Sequence, residues 1–499
     1  MRLLDARKLR QGETLRADLC IVGSGPAGMT LAMELAEAGL DIVLLESGNV
    51  DLPPEIQDLN RGRQVGINTW QLHEWRLRSL GGTSRHWTGF CRPLSPEDFS
   101  ARDWVQGSGW PIDYDTMRPF YQRAHQTLEL GEFDYDAKRM SEQLGTPLFT
   151  DDDSLIEPRF YRLSAPIRFG SRYRATLEES AALRVYLYAT LVEIVLENDL
   201  NAVARLRCAT LEGREFAVEA ERYVLALGGL ENARMLLASS AQLDSGVANS
   251  SGRVGCCFME HPHYLRSATI VWNHKPDLDF YRPRYGQLTE LEGNSHIGVL
   301  GAFGLRSEVR AREQLLNVTC ALLVDDEVGD TNTRDIGAEA VGALLGNARK
   351  TVSVTRVSCR SEQVPDEASR LTLGEERDAL GVPRIELDWR VTERDKRSVY
   401  RALQLIGSEL GRLDLGRIWV PHVEGAISWK ISPAGHHMGT TRLGADSSLS
   451  VVDADLRCHD HENLYIAGAS VFATAGDANP TLTLVALSHR LADHLRDAS

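Results

Sequence analysis

The pattern of apolar and polar positions near the start of the chain predicts a strand, a helix and a second strand. Residues 17–22 are typical of a buried strand, and a second strand is predicted from Asp41 to Leu45. A helix is predicted from Pro26 to about residue 38, where Gly39 closes it. Strands that alternate with a helix in this way favour a parallel sheet in an α/β fold.

Glycines occupy the predicted turn between the first strand and its helix. Gly23, Gly25 and Gly28 follow the order Gly-x-Gly-x-x-Gly, which allows a tight turn and a close approach of the backbone to a pyrophosphate. Glu46 ends the second strand, eighteen residues after Gly28, where it would accept a hydrogen bond from a ribose hydroxyl. The unit therefore predicts a dinucleotide site, without choosing between FAD and NAD.

The end of the chain predicts another strand, loop and helix. A short strand runs to Gly468, and an apolar helical pattern extends to residue 495. Asn479 is a good N-cap, and Pro480 is a common first helical residue. The positive end of this helix, at Pro480 and Thr481, would favour negative charge beside the loop.

The middle of the chain changes its pattern after about residue 263. Before that point, strands are predicted at 185–197, 204–210, 215–218 and 223–227, the last followed by a glycine turn and a helix. From 263 to 430, short strands alternate with turns and predict an antiparallel sheet, with an amphipathic helix near 393–413. The acidic segment 131–165 is a candidate lid or surface loop, and 325–347 is a candidate flexible insertion.

Composition narrows the class of protein. The 499 residues are too many for one simple core, so two domains are expected. The net charge of -15 argues against non-specific binding to nucleic acid or to an anionic membrane. We find no secretory leader and no apolar run that could span a bilayer, and we therefore expect a cytoplasmic protein. The sequence leaves open whether the protein is a monomer or a homo-oligomer.

Two further stretches carry candidate chemistry. In Gly81-Gly82-Thr83-Ser84, followed by His86-Trp87, the loop's backbone N–H groups suit a phosphate or the polar edge of a ring. In Gly435-His436-His437, either imidazole could act as a base near neutral pH. We expect no metal site, because no spaced set of histidines and carboxylates accompanies the histidine pair. A Ser-His-Asp hydrolase is disfavoured because the chain lacks a Gly-x-Ser-x-Gly elbow.

These motifs together resemble the glucose–methanol–choline (GMC) family of flavin oxidoreductases, most closely its pyranose oxidase and glycoside 3-oxidase branch. The resemblance implies a Rossmann-like α/β domain that binds FAD, built from residues 1–95, 183–262 and 432–499. It implies an α+β substrate-binding domain with an antiparallel sheet, built from residues 96–182 and 263–431.

The resemblance also assigns roles to individual residues. The family's His-x-x-Gly element makes His436 the base, and the second catalytic position is Asn479. His437 remains the alternative base, since neighbouring side chains in extended backbone point to opposite faces. His86 matches a histidine that is bonded to the flavin in some members, and His261 is assigned a structural role only. The remaining residues implied in cofactor binding are Gly82, Thr83, Trp87, Gly468, Pro480 and Thr481.

The implied reaction is oxidation of a secondary ring hydroxyl of a pyranose sugar or glycoside to a ketone. The branch includes enzymes that act at C3, some of them on C-glycosides, with oxygen or another electron acceptor. Three alternatives stay open: a dehydrogenase that passes electrons to a quinone or cytochrome partner, an oxidase of non-sugar alcohols, and a nucleotide-binding protein without catalysis. The pairing of His436 with Asn479 argues against the last.

Overall fold

The computed structural model describes residues 3–67, 71–165, 167–274, 276–284, 298–323, 353–423, 426–427 and 429–497. The strands in chain order are β1 Leu3–Asp5, β2 Glu13–Val22, β3 Ile42–Leu45, β4 Gly62–Gln64, β5 Phe90–Cys91, β6 Ile156–Leu163, β7 Leu183–Leu187, β8 Thr190–Leu196, β9 Val203–Ala209, β10 Glu215–Leu225, β11 His263–Trp272, β12 Gly298–Leu305, β13 Val318–Leu323, β14 Ser353–Ser361, β15 Arg370–Arg377, β16 Pro383–Asp388, β17 Gly416–Trp419, β18 His422–Val423, β19 Ala426–Ile427, β20 Ile431–Ser432 and β21 Leu464–Ile466.

The α-helices in chain order are α1 Pro26–Glu37, α2 Pro54–Gln57, α3 Pro96–Phe99, α4 Tyr114–Thr127, α5 Ala137–Leu144, α6 Phe169–Arg172, α7 Arg174–Glu179, α8 Gly228–Ala238, α9 Ser307–Glu313, α10 Glu393–Arg412 and α11 Pro480–Asp497. Within these described residues, no helix combines the length and the apolar character needed to cross a membrane.

The first eight-stranded sheet has the order β1-β7-β3-β2-β10-β9-β8, with β21 beside the end of β10. The five neighbouring strands β1, β7, β3, β2 and β10 run parallel to one another, and β21 also pairs with β10 in parallel. Strand β9 pairs antiparallel with β10, and β8 pairs antiparallel with β9. Strand β3 and the carboxyl-terminal residues of β2 and β10 are buried on both faces, and α11 packs against both α1 and α4. This arrangement confirms the predicted α/β domain.

Two strand predictions in this sheet need correction. The strand predicted at 185–197 is two strands, because Tyr188 adopts a left-handed φ of 61° between β7 and β8. The break lets the chain leave β3, the neighbour of β7, and pair with β9 at the opposite edge. The strands predicted at 215–218 and 223–227 form one continuous strand, β10, which ends at Leu225; its first residues pair with β9 and its last with β21.

The second eight-stranded sheet has the order β17-β11-β14-β13-β12-β6-β5, with β20 beside β11. Every neighbouring pair is antiparallel, as predicted. Helix α10 covers one face and buries Val399, Leu403 and Ile406 against it. The other face of the sheet is turned towards the first domain, where Thr319 of β13 contacts Asp477.

The acidic composition of the segment 131–165 suggested a lid or surface loop, and this prediction is wrong. It contains α5 and β6, and β6 pairs along its whole length with β12 inside the second sheet. Phe160 of β6 is buried in the second core. The candidate insertion 325–347 lies outside the described residues.

A three-stranded sheet joins distant parts of the chain. The hairpin β15–β16 pairs in parallel with β4 from the N-terminal segment. Leu371, Ile385 and Leu387 of this hairpin belong to the first hydrophobic core, next to α8. The hairpin therefore packs with the dinucleotide-binding unit, although the predicted boundaries assign residues 263–431 to the other domain.

Candidate active site

A cleft of about 330 Å³ opens at the carboxyl ends of the parallel strands β2, β3, β10 and β21. This is where open α/β sheets bind ligands, and the volume lies in the range of cofactor pockets. All the residues predicted from the sequence line it except Gly28. They are Gly23, Gly25, Glu46, Gly82, Thr83, His86, Trp87, His436, Gly468, Asn479, Pro480 and Thr481.

The first glycine turn has the geometry that a pyrophosphate requires. Gly23 has a φ of 102°, which disfavours any side chain, and a Cβ on Gly28 would lie 1.9 Å from the Gly23 carbonyl oxygen. A Cβ on Gly25, in contrast, would meet no protein atom within 4 Å. Because α1 begins at Pro26 and Gly25 offers no side-chain cap, the first N–H groups of the helix remain available to an anion at the cleft.

Glu46 stands directly after β3 and is 5% exposed. One carboxylate oxygen accepts hydrogen bonds from the backbone N–H of Ser24 at 3.1 Å and from its hydroxyl at 2.5 Å, and the other accepts from Gly48 at 2.8 Å. Burial raises the pKa of this carboxyl, and these hydrogen bonds oppose the rise. A carboxylate has about four acceptor positions, so Glu46 can still accept from a ribose hydroxyl.

The second glycine loop closes on the first. Gly82 begins a short 3₁₀ helix, Gly82–Arg85, and a Cβ on Gly82 would lie 3.0 Å from the Cα of Gly25. Trp87 is fixed by a hydrogen bond from its ring N–H to the Ile167 carbonyl at 2.8 Å. The His86 side chain is exposed on the cleft wall, and partial burial and Arg168 lower its pKa, which favours a neutral imidazole. The residues present therefore fit a dinucleotide such as FAD.

His436 and Asn479 meet at this cleft, although they lie 43 residues apart in the chain. His436 Nε2 is 3.3 Å from Asn479 Nδ2. The Asn479 side chain also accepts a hydrogen bond from Arg360 of β14 at 2.6 Å. Helix α11 begins immediately after Asn479, as predicted, with the amide turned towards these two partners.

His261 is a residue whose position the sequence analysis missed. It was assigned a structural role only, yet its Nδ1 lies 2.8 Å from Nδ1 of His436. The two rings meet edge to face, with centroids 5.0 Å apart. The one local signal was its place before a proline, which fixes extended backbone but does not reveal what the side chain faces.

The two neighbouring histidines, His436 and His437, occupy different surroundings. His437 Nε2 is 3.7 Å from a carboxylate oxygen of Glu260, away from Asn479, and its ring packs near Phe258. Burial, and then Arg76, lower the pKa of His437 to about 3, while burial raises the pKa of Glu260 to about 7. Burial, followed by His261 and Arg360, holds the pKa of His436 well below its ordinary value. Both histidines are therefore neutral near pH 7.

Comparisons with known proteins identify two matching segments of the chain. Residues 16–57 match the family model described as "FAD binding domain", and residues 365–488 match the one described as "GMC oxidoreductase". The chain is 25% identical to the fructose dehydrogenase large subunit of Gluconobacter japonicus, over 96% of this chain and 98% of that protein. It is 35% identical to a C-glycoside 3-oxidase of Arthrobacter globiformis, over 23% of this chain and 21% of that protein.

A solved structure shows the same fold. The crystal structure of pyridoxine 4-oxidase from "Mesorbium loti" superposes with a TM-score of 0.60 at 18% identity, over 96% of this chain and 99% of that one. The segment that matches the "GMC oxidoreductase" model contains both His436 and Asn479. The part of the chain that the structure describes contains no group of three or more histidine, cysteine or carboxylate side chains arranged to hold a metal ion.

Proposed function

The chain belongs to the GMC family of FAD-dependent oxidoreductases, which act on CH–OH groups, and from this premise we propose that it oxidises a secondary ring hydroxyl of a pyranose sugar or glycoside to a ketone. The proposed substrates include C-glycosides, and the proposed ring position is C3. Oxygen or another acceptor would then take the electrons from the enzyme.

The observation that carries the proposal is the pair formed by His436 and Asn479 on the wall of the cleft. Oxidation of an alcohol removes the hydroxyl proton and a hydride from the carbon, and bound FAD supplies the hydride acceptor. His436 is neutral, so it can take the hydroxyl proton. Asn479 Nδ2, only 3.3 Å from His436 Nε2, can donate a hydrogen bond to the same oxygen without competing for its proton.

Helix α11 adds an electrostatic contribution from the same loop. Its first residues, Pro480 and Thr481, line the cleft directly after Asn479. The positive end of a helix stabilises nearby negative charge by roughly 0.3–1 kcal/mol, and by more in a partly buried site. The loop therefore serves the substrate through Asn479 and favours negative charge on the bound cofactor through the helix.

Two similarities support a sugar as the substrate. The relationship to a fructose dehydrogenase subunit covers nearly the whole chain, and the shorter match to a C-glycoside 3-oxidase has higher identity. Oxidation of a ring hydroxyl of a pyranose agrees with both relatives, because the substrate is a sugar and the reacting group is a secondary alcohol. Position C3 and a C-glycoside are the more specific parts of the proposal and rest on the shorter match.

The test is anaerobic reduction of the purified flavoprotein by a panel of compounds. The panel contains free pyranoses, O-glycosides, C-glycosides and two non-sugar alcohols, and the visible flavin band is followed after mixing. We expect pyranosides to bleach the band and product NMR to show a 3-ketone. If only a non-sugar alcohol bleaches the band, the sugar assignment is wrong.

The neighbouring histidine provides a matched control for the base. We expect His436→Ala to retain FAD and to lose substrate-dependent bleaching by about 10²-fold or more, the typical contribution of a general base. His437→Ala removes the same number of atoms one residue away and should bleach at a rate nearer to that of wild type. The reverse result would make His437 the base.

A further inference from the structure

We propose that His261 is a positioning residue that fixes which ring nitrogen of His436 carries the proton. In this arrangement, His436 keeps its proton on Nδ1 and presents the lone pair of Nε2 beside Asn479. The consequence for catalysis rests on the function proposed above, whereas the proton assignment itself does not. One series of hydrogen bonds, from a backbone carbonyl through His261, His436 and Asn479 to a guanidinium, determines this proton position.

One end of this series is the backbone of the last loop. His261 Nε2 lies 2.9 Å from the Gly476 carbonyl oxygen and 3.3 Å from that of Ala475. A carbonyl oxygen only accepts hydrogen bonds, so His261 Nε2 must carry a proton. The His261 side chain is fully buried, and burial lowers its pKa to about 4. A neutral ring has one N–H, so His261 Nδ1 is an acceptor.

The donor and the acceptor of the hydrogen bond between the two imidazoles then follow. His261 Nδ1 and His436 Nδ1 are 2.8 Å apart, and a hydrogen bond at this distance needs one donor and one acceptor. Because the His261 nitrogen accepts, the His436 nitrogen donates. His436 is neutral as well, which leaves its Nε2 without a proton.

The hydrogen bonds of Asn479 and Arg360, at the other end of this series, indicate the same tautomer of His436 independently. The Arg360 guanidinium only donates, so the Asn479 atom that lies 2.6 Å from it must be the amide oxygen. The amide nitrogen therefore faces His436 Nε2, at 3.3 Å, and donates to it. Among the residues that the structure describes, no carboxylate lies within ion-pair distance of Arg360, and its guanidinium donates to Asn479 instead.

The opposite tautomer of His436 would conflict with both neighbours. Its Nε2 proton would oppose the N–H of Asn479, and its bare Nδ1 would oppose the lone pair of His261. Rotation of the Asn479 amide would relieve the first conflict but would turn its N–H group towards Arg360. Before any substrate binds, these hydrogen bonds thus select the tautomer of His436 whose Nε2 can accept a substrate proton.

The first test measures the proton positions directly. Wild-type protein with bound FAD and ¹⁵N-labelled histidine is compared with His261→Ala and His261→Asn by two-bond ¹H–¹⁵N correlation spectra, with His436→Asn identifying the signals of that residue. We expect an unprotonated Nε2 and a protonated Nδ1 for His436 in wild type. His261→Ala should lose this pattern, whereas His261→Asn should keep it, because the asparagine oxygen can accept from His436.

Kinetics supply the second readout. His261→Ala should lower kcat by about tenfold or more with little change in KM, and His261→Asn should recover most of the loss. His125→Ala truncates another buried histidine, whose hydrogen bonds go to the Gly131 carbonyl and the Tyr135 hydroxyl, and it should leave the His436 signals and KM unchanged.

Two results would overturn the proposal. One is a protonated Nε2 of His436 in wild type, which decides the matter even if a variant does not fold. The other is a His261→Ala spectrum and kcat that match those of wild type. If no pyranoside reduces the flavin but the His436 signals have the expected pattern, the proposed substrate is wrong and the positioning role of His261 stands.

Discussion

Replacement of Asp477 by asparagine should destabilise the protein at the point where its two large sheets meet. Asp477 lies in the loop between β21 and α11 and is 1% exposed. Its carboxylate accepts hydrogen bonds from Arg92, from Arg159 of β6 at 2.5 Å and from the Thr319 hydroxyl of β13 at 2.6 Å. One side chain of the first domain is thus bound to two strands of the second sheet.

The size of the effect follows from what each arginine retains. Arg159 keeps an ion pair with Glu157 at 2.7 Å, whereas Arg92 has no second carboxylate within ion-pair distance among the described residues. Removal of one partner from a buried pair costs about 3–5 kcal/mol. Because one of the two arginines stays paired, we expect a loss near the lower limit, about 3 kcal/mol.

The pH dependence of this contribution has a definite sign. Burial alone would raise the pKa of Asp477, but Arg92 and Arg159 outweigh it and hold the pKa far below its ordinary value. A depressed carboxyl pKa stabilises the fold above the unfolded-state pKa of about 3.9, and this stabilisation is lost as the pH falls below it. The difference between wild type and Asp477→Asn should be constant near neutrality and shrink in acid.

The assay is urea unfolding of the FAD-loaded proteins, followed by intrinsic fluorescence at pH 7. The matched control is Asp152→Asn, which removes an ion pair to Lys138 at 3.1 Å from a side chain that is 86% exposed. Such surface pairs contribute about 0–1 kcal/mol, so the control should unfold close to wild type. If Asp477→Asn and Asp152→Asn unfold at the same urea concentration, the reasoning about the buried carboxylate is refuted.

Three further predictions concern the cofactor and the base. Gly25→Ala should lower the flavin content of the purified protein without changing the stability of the apoprotein, because the new Cβ faces the open cleft. Gly28→Ala should lower both the flavin content and the stability of the apoprotein, because its Cβ would clash with Gly23, and equal effects of the two variants on apoprotein stability would contradict this prediction. The acid limb of kcat/KM should lie below about pH 6.5, the ordinary imidazole value, because the pKa of His436 is lowered, and a limb above that pH would contradict it. If His86 bonds the flavin, acid precipitation should leave flavin in the wild-type pellet and release it from His86→Ala; flavin in the wild-type supernatant would rule out the bond.

Sequence patterns were sufficient where the information is local. The glycine turn at Gly23 and the start of α11 at Pro480 were predicted correctly because each depends on a few neighbouring residues. The strand β6 was missed because it has no alternation of apolar and polar residues: Arg159 and Arg162 are buried in it beside apolar neighbours. The pairing of β4 with β16 was missed because the partners lie more than three hundred residues apart in the chain.

The sequence predicted two residues of the candidate site but not the hydrogen bonds that join them to the rest of the protein. His436 and Asn479 were identified from the family motif, and the structure brings them within 3.3 Å of each other. His261 and Arg360 carry no motif that relates them to either residue. Their contacts arise because β11 and β14 are neighbours in the second sheet and place both side chains beside the last loop.

The site lies where the chain passes between the two large sheets. His261 precedes β11, His436 follows β20, and the loop from Gly476 to Asn479 lies against the second sheet through Asp477. The dinucleotide cleft, in contrast, is built mainly at the ends of strands in the first sheet. Weak docking of the second sheet would therefore disturb the hydrogen-bond chain through His436 before it disturbed the glycine turns. Asp477→Asn should therefore lower kcat by a larger factor than it lowers the flavin content, because Asp477 joins the sheets that supply His436, the proposed base, and its hydrogen-bond partners.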